Sequence, residues 1–286
     1  MMSTIKIGWI GLGTMGIPMS QQLLRAGYQL AVYNRSKPKE EALKLMGATA
    51  ASSPGLLLTQ SDFIIIMVSD DRAIREIFAG DGGLLSAKTT GKIIINMSTV
   101  SPAISIEMAS LCSRQGNHYL DAPVAGSVKQ AEEGQLVIMV GGDETIFEKA
   151  KFIFEHLGKL AMLVGNNGAG NSAKLAINTL LGFHAQGLAE AVVFARQNEI
   201  RTADLITLIS NSALGNVFSK IKGDAIIQNN YKAAFALKHI AKDLRLAKDK
   251  GLSTPMGETV FKTFQEAEPA LGEEDIIAII KQISPA

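Results

Sequence analysis

Lys174 and Asn178 lie four positions apart in the segment Ala173 to Gln197, whose other residues are mostly apolar. In a helix this spacing puts both side chains on one face, one turn apart. A polar group on an apolar helix needs a partner or a cavity, and a partly desolvated lysine has its pKa lowered towards the range of an acid–base catalyst. Lys174 and Asn178 are therefore candidate catalytic residues. The alternative is a lysine at a helix start that reaches solvent.

A glycine-rich stretch near the start of the chain is the second candidate site. It follows an apolar strand pattern, Ile5 to Ile10, and precedes a helical pattern that ends at Gly27. Strand, G-x-G-x-x-G and helix in this order are typical of a dinucleotide-binding turn, in which backbone N–H groups face the pyrophosphate. We predict that the cofactor contacts come from Gly11, Leu12, Gly13, Thr14, Met15 and Gly16.

The residues after the second predicted strand, Asn34, Arg35 and Ser36, indicate which dinucleotide binds. An NAD site has an acidic residue about 20 positions after the glycines, where it binds the ribose hydroxyls. No acidic residue stands here, and a guanidinium can bind a 2′-phosphate through two hydrogen bonds. We predict that Arg35 binds the 2′-phosphate of NADP, helped by Asn34 and Ser36. The alternative is a solvated surface arginine.

Two loops that follow predicted strands contain small and hydroxyl-bearing residues. Ser98 and Thr99 occupy the usual position of a ligand-facing loop in an open α/β sheet, although a simple turn before a helix fits equally well. In the loop 121–127, the backbone N–H groups of Ala125, Gly126 and Ser127 and the Ser127 hydroxyl would suit a carboxylate. An ordinary loop is the alternative for this stretch.

Lys238 and Lys242 are one turn apart on a later helical segment. Their charges would suit a nicotinamide or an acidic substrate, and a solvated helix face is the alternative. No His, Cys, Asp or Glu cluster has the spacing of a metal site, so we infer no metal.

The elements that must position these residues change character along the chain. Apolar runs such as Phe63 to Val68 alternate with helical patterns as far as Val164, and every later segment is helical. The alternation predicts an α/β fold: a Rossmann-type, doubly wound parallel sheet followed by an all-helical C-terminal domain. We place the boundary after Val164, giving a nucleotide-binding domain over residues 1–164 and a substrate and dimerisation domain over residues 165–286.

The composition limits the partners and the compartment. The formal net charge of +1 argues against nucleic acid and anionic membrane surfaces, and the longest apolar run, six residues from Phe63 to Val68, is too short to span a bilayer. With one cysteine, Cys112, an intrachain disulfide is impossible, which indicates a reducing compartment. The N-terminus does not resemble a signal peptide. We therefore expect a cytoplasmic protein.

Together these motifs resemble the β-hydroxyacid dehydrogenase family, which includes the 3-hydroxyisobutyrate dehydrogenases and the glyoxylate/succinic semialdehyde reductases. The family's opening signature matches Gly11–Gly16, and its catalytic motif G-x-x-G-x-G-x-x-x-K-x-x-x-N matches Gly165–Asn178. Its K-D motif matches Lys242-Asp243, and its substrate loop D-A-P-V-S-G-G matches Asp121–Ser127. The loop departs from the family at two positions, where Ala125 replaces serine and Ser127 replaces glycine.

The resemblance implies an NADP(H)-dependent oxidoreductase that transfers hydride between nicotinamide and a small, carboxylate-bearing 3-hydroxy acid or aldehyde acid. Lys174 would exchange the hydroxyl proton, and Asn178 would orient the substrate or the lysine. The reductase branch, favoured by Asn34-Arg35-Ser36 and by the stretch 235–243, implies NADPH. The resemblance also implies a homodimer or homotetramer. Further cofactor contacts are expected from Val68, Ser69, Ser98, Thr99 and Lys242, and further substrate contacts from Ser98, Ala125, Gly126, Ser127 and Lys238.

Two other functions are compatible with such a fold. One is an imine reductase, a relative in which the family's lysine position is usually changed. The other is a catalytically inactive dehydrogenase fold that serves as an oligomerisation or binding module, which typically loses the same lysine. Lys174 stands against both alternatives.

Overall fold

The computed structural model describes residues 5–284, and the chain divides into two compact units, the first ending at Lys174 and the second beginning at Leu175. The composition change predicted a boundary ten residues earlier, after Val164. The first unit alternates strands with helices and two short 3-10 turns, 37–40 and 84–86. Its elements are β1 (Lys6–Ile10), α1 (Gly16–Arg25), β2 (Gln29–Tyr33), α2 (Glu41–Lys44), β3 (Thr49–Ala50), α3 (Pro54–Gln60), β4 (Phe63–Ile66), α4 (Asp71–Ala79), β5 (Ile93–Asn96), α5 (Pro102–Arg114), β6 (His118–Asp121), β7 (Val124–Ala125), α6 (Val128–Glu132), β8 (Leu136–Gly141), α7 (Glu144–Leu157) and β9 (Gly158–Gly165).

These strands form one sheet in the order β3-β2-β1-β4-β5-β6-β8-β7, with β9 paired to the other side of β8. The pairs from β3 through β6 are all parallel, whereas β8 runs antiparallel to β6 and β7. The predicted doubly wound α/β fold is confirmed, with an antiparallel pairing at one side that the sequence did not indicate. The order reverses direction at β1 and β4, which is where open α/β sheets bind their ligands.

The central strands are buried on both faces. In β4, Phe63 and Ile65 pack into the core that α1 and α7 cover, while Ile64 and Ile66 pack into the core under α3, α4 and α5. This alternation explains why the strand appears in the sequence as an unbroken apolar run. The register pairs Ile10 of β1 with Ile66, so both strands end at the same sheet edge.

The second unit is built from helices. The helix α8 (Ala169–Gln197) begins in the first unit and continues into the second, where it is followed by α9 (Thr202–Ser210), α10 (Val217–Ile227), α11 (Leu237–Asp249), α12 (Pro255–Leu271), a 3-10 turn (Ile276–Ala278) and α13 (Ile279–Ile283). Their core contains Val192, Leu244 and Phe264. A helix that is apolar on most of its surface, as α8 is, is usually buried all round, but Leu180 and Phe194 are exposed in the single chain.

Several boundaries differ from the sequence prediction. The pattern from Lys39 to Met46 predicts a helix that ends at Gly47, but the structure has a 3-10 turn followed by the four-residue α2, and Gly47, with a φ of +99°, follows three residues later. The apolar pattern predicts a strand over Ala161–Val164, and the observed strand begins earlier, at Gly158. The pattern from Glu274 to Ile283 predicts a helix, and the structure has a 3-10 turn followed by α13. The elements β3, α3, β7 and α6 were not predicted.

Candidate functional site

The three glycines of the first turn have different geometric tasks. Gly11 has a φ of +96°, and a Cβ built on it would lie 2.1 Å from the Met67 carbonyl oxygen. A Cβ on Gly16 would lie 2.1 Å from the Gly11 carbonyl oxygen, because α1 begins against the turn. In contrast, no heavy atom of the described residues lies within 4 Å of a Cβ built on Gly13. Gly11 and Gly16 are thus required by the fold, whereas Gly13 leaves open space of the kind that a pyrophosphate approaching the backbone needs.

Asn34 connects the glycine turn to the residues after β2. Its side-chain oxygen accepts a hydrogen bond from Leu12 N at 2.9 Å, and its side-chain nitrogen donates to the Ser36 carbonyl at 2.8 Å. Asn34 N in turn donates to the buried carboxylate of Glu40 at 2.9 Å, which also binds the Lys37 ammonium at 2.9 Å. Asn34 therefore positions the turn, and a direct contact with the cofactor stays a prediction. Sequence analysis missed Glu40, whose only local signal is the i, i+3 lysine.

Arg35 projects from the same segment into solvent, with 91% of its side chain exposed. Its guanidinium lies 3.9 Å from the Glu76 carboxylate on α4. The placement after β2, beside the glycine turn, is compatible with a contact to the adenosine ribose. The exposure leaves the guanidinium available to a ligand.

The loops after β4 and β5 meet through Ser98. The Ser98 hydroxyl is buried and accepts a hydrogen bond from Val68 N at 2.9 Å, while Ser98 N donates to the Asn96 side chain at 3.0 Å. Ser69, one position on, is exposed and donates to Asp70 at 2.8 Å. The structure therefore brings Val68 and Ser98 together at the sheet edge. Ser98 acts there as a bridge between loops, and its contact with a ligand stays a prediction, as does that of Thr99.

Asp121, the last residue of β6, holds the start of α8. Its buried carboxylate accepts hydrogen bonds from Gly168 N at 2.7 Å and from Asn171 N at 2.9 Å. Burial raises the pKa of Asp121, and these backbone bonds oppose the increase. A Cβ on Gly170 would lie 2.5 Å from the Asp121 carbonyl oxygen, so the turn packs directly on the strand end. The helix that carries Lys174 is thereby anchored to β6.

Asn171 adds a second anchor to the same turn. Its side-chain oxygen accepts from Val100 N at 2.9 Å, and its side-chain nitrogen donates to the Ser105 hydroxyl at 3.1 Å. Asn171 and Ser105 are fully buried. The first turn of α8 is therefore bonded both to β6 and to the segment that follows Ser98 and Thr99. Sequence analysis missed both anchors, although the Asp at the head of the D-A-P-V loop was a visible signal for the first.

Residues of the predicted carboxylate loop take part in a strand and in the N-cap of a helix. Ala125 belongs to β7 and pairs with Val137 of β8, and Gly126 has a φ of +144°, at which a side chain would be strained. The Ser127 hydroxyl and backbone N–H both donate to the Gln130 side chain in a capping box at the start of α6. The Gly126 backbone is exposed. The substrate contacts of these three residues stay predictions, with the Ser127 hydroxyl already engaged in capping.

Lys174 and Asn178 lie one turn apart on α8, and both are buried. In the second unit the Asn178 side-chain nitrogen donates to Asp243 Oδ2 at 2.5 Å, and the Lys242 ammonium lies 3.1 Å from Asp243 Oδ1. The buried Asp243 therefore joins two of the predicted site residues and fixes the orientation of the Asn178 amide. The sequence motif placed Asp243 beside Lys242 but did not indicate its contact with Asn178.

Lys238 has a different environment from Lys242. Its ammonium lies 2.6 and 2.7 Å from the two carboxylate oxygens of Glu273, an exposed residue between α12 and the last 3-10 turn. Its predicted contact with substrate stays a prediction. Within residues 5–284, no three His, Cys, Asp or Glu side chains are arranged to hold a metal ion. None of the helices described there is long and apolar enough to cross a membrane.

Comparison with known proteins identifies two family models that together cover nearly all of the chain. The model described as the NAD binding domain of 6-phosphogluconate dehydrogenase matches residues 6–165. The model described as NAD-binding of NADP-dependent 3-hydroxyisobutyrate dehydrogenase matches residues 168–283.

The similar curated proteins are reductases and dehydrogenases. The glyoxylate/succinic semialdehyde reductase 1 of Arabidopsis thaliana is 32% identical over 284 residues, which are 98% of either chain. The 2-hydroxy-3-oxopropionate reductase of Escherichia coli (strain K12) is 36% identical over 243 residues, 85% of this chain and 83% of the relative.

Solved structures agree with these matches. The Mycobacterium tuberculosis 3-hydroxyisobutyrate dehydrogenase with L-serine superposes with a TM-score of 0.89 at 26% identity, covering 99% of this chain and 100% of the other. An imine reductase from Pseudomonas sp., at 21% identity and a TM-score of 0.65, shares the fold. From the family models and the curated relatives, we conclude that the chain belongs to the β-hydroxyacid dehydrogenase family of NAD(P)-binding oxidoreductases.

Proposed function

We propose that this oxidoreductase uses NADP(H) and acts on a small 3-hydroxy acid or aldehyde acid of the 3-hydroxyisobutyrate, glyoxylate or succinic semialdehyde type. The observation that carries the proposal is the buried pair Lys174 and Asn178 on α8. A buried lysine needs a reason to be retained, and proton exchange with a substrate hydroxyl supplies one. The names of the two curated reductases above support this substrate class.

The chain's own residues divide the work as follows. In the reducing direction, Lys174 gives a proton to the carbonyl oxygen of the substrate, and in the oxidising direction it takes that proton back. Asn178, whose amide is held by Asp243 at 2.5 Å, orients the same oxygen. The exposed backbone around Gly126 binds the carboxylate. The nicotinamide cofactor, when bound, supplies or accepts the hydride, and the open side of Gly13 is where its pyrophosphate fits.

We propose NADP(H) rather than NAD(H) because of Arg35. No carboxylate stands where NAD sites place one, a guanidinium stands one residue further on, and its exposure leaves it available to a 2′-phosphate. A charged hydrogen bond contributes about 1.5 to 3 kcal/mol, which corresponds to roughly ten- to a hundredfold in affinity. We expect kcat/KM with NADPH to exceed that with NADH by at least tenfold, and Arg35→Ala to remove most of this preference. Equal use of both cofactors by the wild type would contradict the proposal.

The acid–base proposal is tested by Lys174→Ala with a panel of glyoxylate, succinic semialdehyde and 2-hydroxy-3-oxopropionate. We expect kcat to fall by about 10² to 10⁴, the usual contribution of a general acid, while the Kd for NADPH changes less than about twofold. Lys220→Ala, at an exposed position of α10, is the matched control and should keep wild-type turnover. A Lys174→Ala enzyme with more than about a third of the wild-type kcat at pH 7 would exclude Lys174 as the proton donor.

We also propose a homodimer or homotetramer that uses the helical unit. Large apolar side chains are exposed on its helices and connecting turns in the single chain, among them Leu180, Phe194, Leu208, Leu214 and Val217. Ten of the seventeen large apolar residues that are exposed among the described residues belong to this unit, although it is the smaller of the two, and exposed apolar surface is typical of interaction sites. Light scattering coupled to size exclusion gives the mass directly. A monomer at micromolar concentration would contradict this part of the proposal.

A further inference from the structure

A cluster of three charged side chains lies beside the proposed 2′-phosphate site. We propose that Arg72 is a second guanidinium for the adenosine 2′-phosphate, and that Glu76 is the carboxylate which this phosphate displaces. The inference rests on the proposed use of NADP(H) and names two residues that determine its selectivity. It concerns only side chains of the first unit.

The cluster is organised by one carboxylate. Glu76 Oε1 lies 3.0 Å from Arg72 Nε, and Glu76 Oε2 lies 3.9 Å from Arg35 Nη1. Arg72 and Glu76 are one turn apart on α4, whereas Arg35 comes from the segment after β2. The two guanidiniums thus approach a single anion from two different elements.

The sheet order explains why these two elements meet. The strands β2 and β4 are the two neighbours of β1, so the segments that follow them flank the glycine turn that follows β1. Sequence analysis examined the residues after β2, because the acidic residue of NAD sites stands there. Arg72 follows β4 and was therefore not considered.

The ion pairs of this cluster can be broken at little cost in free energy. The side chains of Arg35, Arg72 and Glu76 are 91%, 88% and 48% exposed, and ion pairs this exposed to solvent contribute little to stability. A phosphate monoester carries a charge of about −1.5 to −2 at pH 7 and offers three strong acceptor oxygens, compared with one charge and two oxygens on a carboxylate. The phosphate is therefore the better ligand for two guanidiniums, since each can bind it through paired hydrogen bonds.

The difference between a phosphate and a hydroxyl as a ligand for the two arginines distinguishes NADP from NAD. A ribose hydroxyl, the group that NAD presents at this position, is neutral and does not compete with Glu76 for the arginines. With NAD the carboxylate stays paired, and neither arginine gains a contact. Glu76 thus reduces the affinity for NADP, because its pairs must be broken, and has no such effect on NAD.

The other charges of α4 already have separate partners. Asp70 accepts from Ala73 N at 2.9 Å as the helix cap, and Asp71 accepts from Ser101 N at 2.8 Å. Arg75, on the same helix, pairs with Glu107 of α5 at 2.5 Å. Arg75 therefore offers a matched control, since its removal changes the net charge of α4 equally without touching the cluster.

The test measures binding by calorimetry, with adenosine 2′,5′-bisphosphate and AMP as probes and with NADP+ and NAD+ as the full cofactors. For Arg72→Ala we expect affinity for the two 2′-phosphorylated ligands to fall by about tenfold, as for loss of one exposed charged bond, with AMP and NAD+ changed less than about twofold. For Glu76→Gln we expect NADP+ to bind roughly three- to tenfold more tightly and NAD+ to be unchanged. Arg75→Ala should leave all four affinities at the wild-type values.

The outcomes separate this inference from the proposed function. If the wild type binds NAD+ as tightly as NADP+, the proposed cofactor preference is wrong. If the wild type prefers NADP+ and Arg35→Ala loses that preference, but Arg72→Ala behaves like Arg75→Ala, only the role of Arg72 is overturned. If Glu76→Gln weakens NADP+ binding, the carboxylate supports the phosphate site instead of competing with the phosphate, and the displacement is overturned.

Discussion

Replacing Lys222 by methionine tests how the buried charges of the helical unit are balanced. The Lys222 ammonium lies 2.7 and 2.9 Å from the two oxygens of Asp275, and the side chains are only 10% and 3% exposed. The carboxylate also accepts from the backbone N–H groups of Ala234, Phe235 and Ile277 at 3.0 to 3.3 Å. Asp275 therefore holds the segment that leads into α11, the helix of the K-D motif.

The expected loss in the free energy of unfolding depends on which charged or polar groups each substitution leaves buried without a partner. Breaking a buried ion pair by removing one partner typically costs about 3 to 5 kcal/mol, because the other charge remains buried. Lys222→Met leaves a carboxylate that keeps three backbone donors, so we expect the lower end, about 3 kcal/mol. Asp275→Ala leaves an ammonium and three N–H groups without acceptors, so we expect about 5 kcal/mol or more.

Urea unfolding followed by circular dichroism measures these changes. The matched control is Arg201→Met, which breaks a pair with Asp204 at 2.7 Å in the same unit, where the side chains are 81% and 48% exposed. An exposed pair contributes about 1 kcal/mol or less, so this variant should unfold close to the wild type. At about 2 to 4 °C per kcal/mol, Lys222→Met should lower Tm by roughly 6 to 12 °C. A Lys222→Met protein as stable as Arg201→Met would refute the reasoning.

Three other predictions test separate features. Asp121→Asn should destabilise the protein by about 1 to 3 kcal/mol, because the new amide NH2 faces a buried backbone N–H. The control Asp143→Asn, at the exposed N-cap of α7, should destabilise it by only a few tenths of a kcal/mol. Equal urea midpoints for the two variants would contradict this prediction. Burial raises the pKa of Cys112 to about 12, above its unfolded value of about 8.5. The thiol should therefore react with a disulfide reagent at pH 8 only after the protein unfolds. Its contribution to the free energy of unfolding is complete below about pH 8.5 and is lost as the pH rises towards 12. Rapid labelling of the folded protein would contradict the burial of the thiol. Gly16→Ala should abolish nucleotide binding, measured by calorimetry, because the new Cβ would lie 2.1 Å from a carbonyl oxygen. The control Gly187→Ala, with no described atom within 4 Å, should stabilise α8 by about 0.5 to 1 kcal/mol and raise Tm. A Gly16→Ala protein that still binds nucleotide would refute the steric argument.

Much of the fold was predictable because parallel strands buried on both faces form continuous apolar runs. The run at Phe63 forms a strand in the structure, and Ser101-Pro102, whose residue types predict an N-cap followed by a first-turn proline, begins a helix there. The helix α3 was missed although Ser53-Pro54 carries the same capping signal as Ser101-Pro102. The strand β7 has two residues, and no periodicity can be detected in two residues. Its antiparallel pairing is a tertiary property that the local sequence does not encode.

The sequence singled out the candidate site residues, whose roles stay predictions, but it did not indicate the contacts that these residues make. The motifs indicated Lys174, Asn178 and Lys242 from type and spacing. The bond from Asn178 to Asp243 spans 65 positions and becomes visible only when the helices pack. Ser98 shows the opposite case, since it stands where a ligand-facing residue was expected but its hydroxyl binds a neighbouring loop.

The carboxylate of Asp121 has a consequence for building chimaeras of this enzyme. It is the first residue of the D-A-P-V segment in sequence, but its bonds at 2.7 and 2.9 Å go to the turn that starts α8, some fifty positions later. A loop graft from a relative can therefore replace residues 122–127 without removing this acceptor. A graft whose junction lies one residue earlier, and which does not itself begin with aspartate, also removes the acceptor that fixes the helix carrying Lys174. The segment to exchange between relatives therefore begins at residue 122.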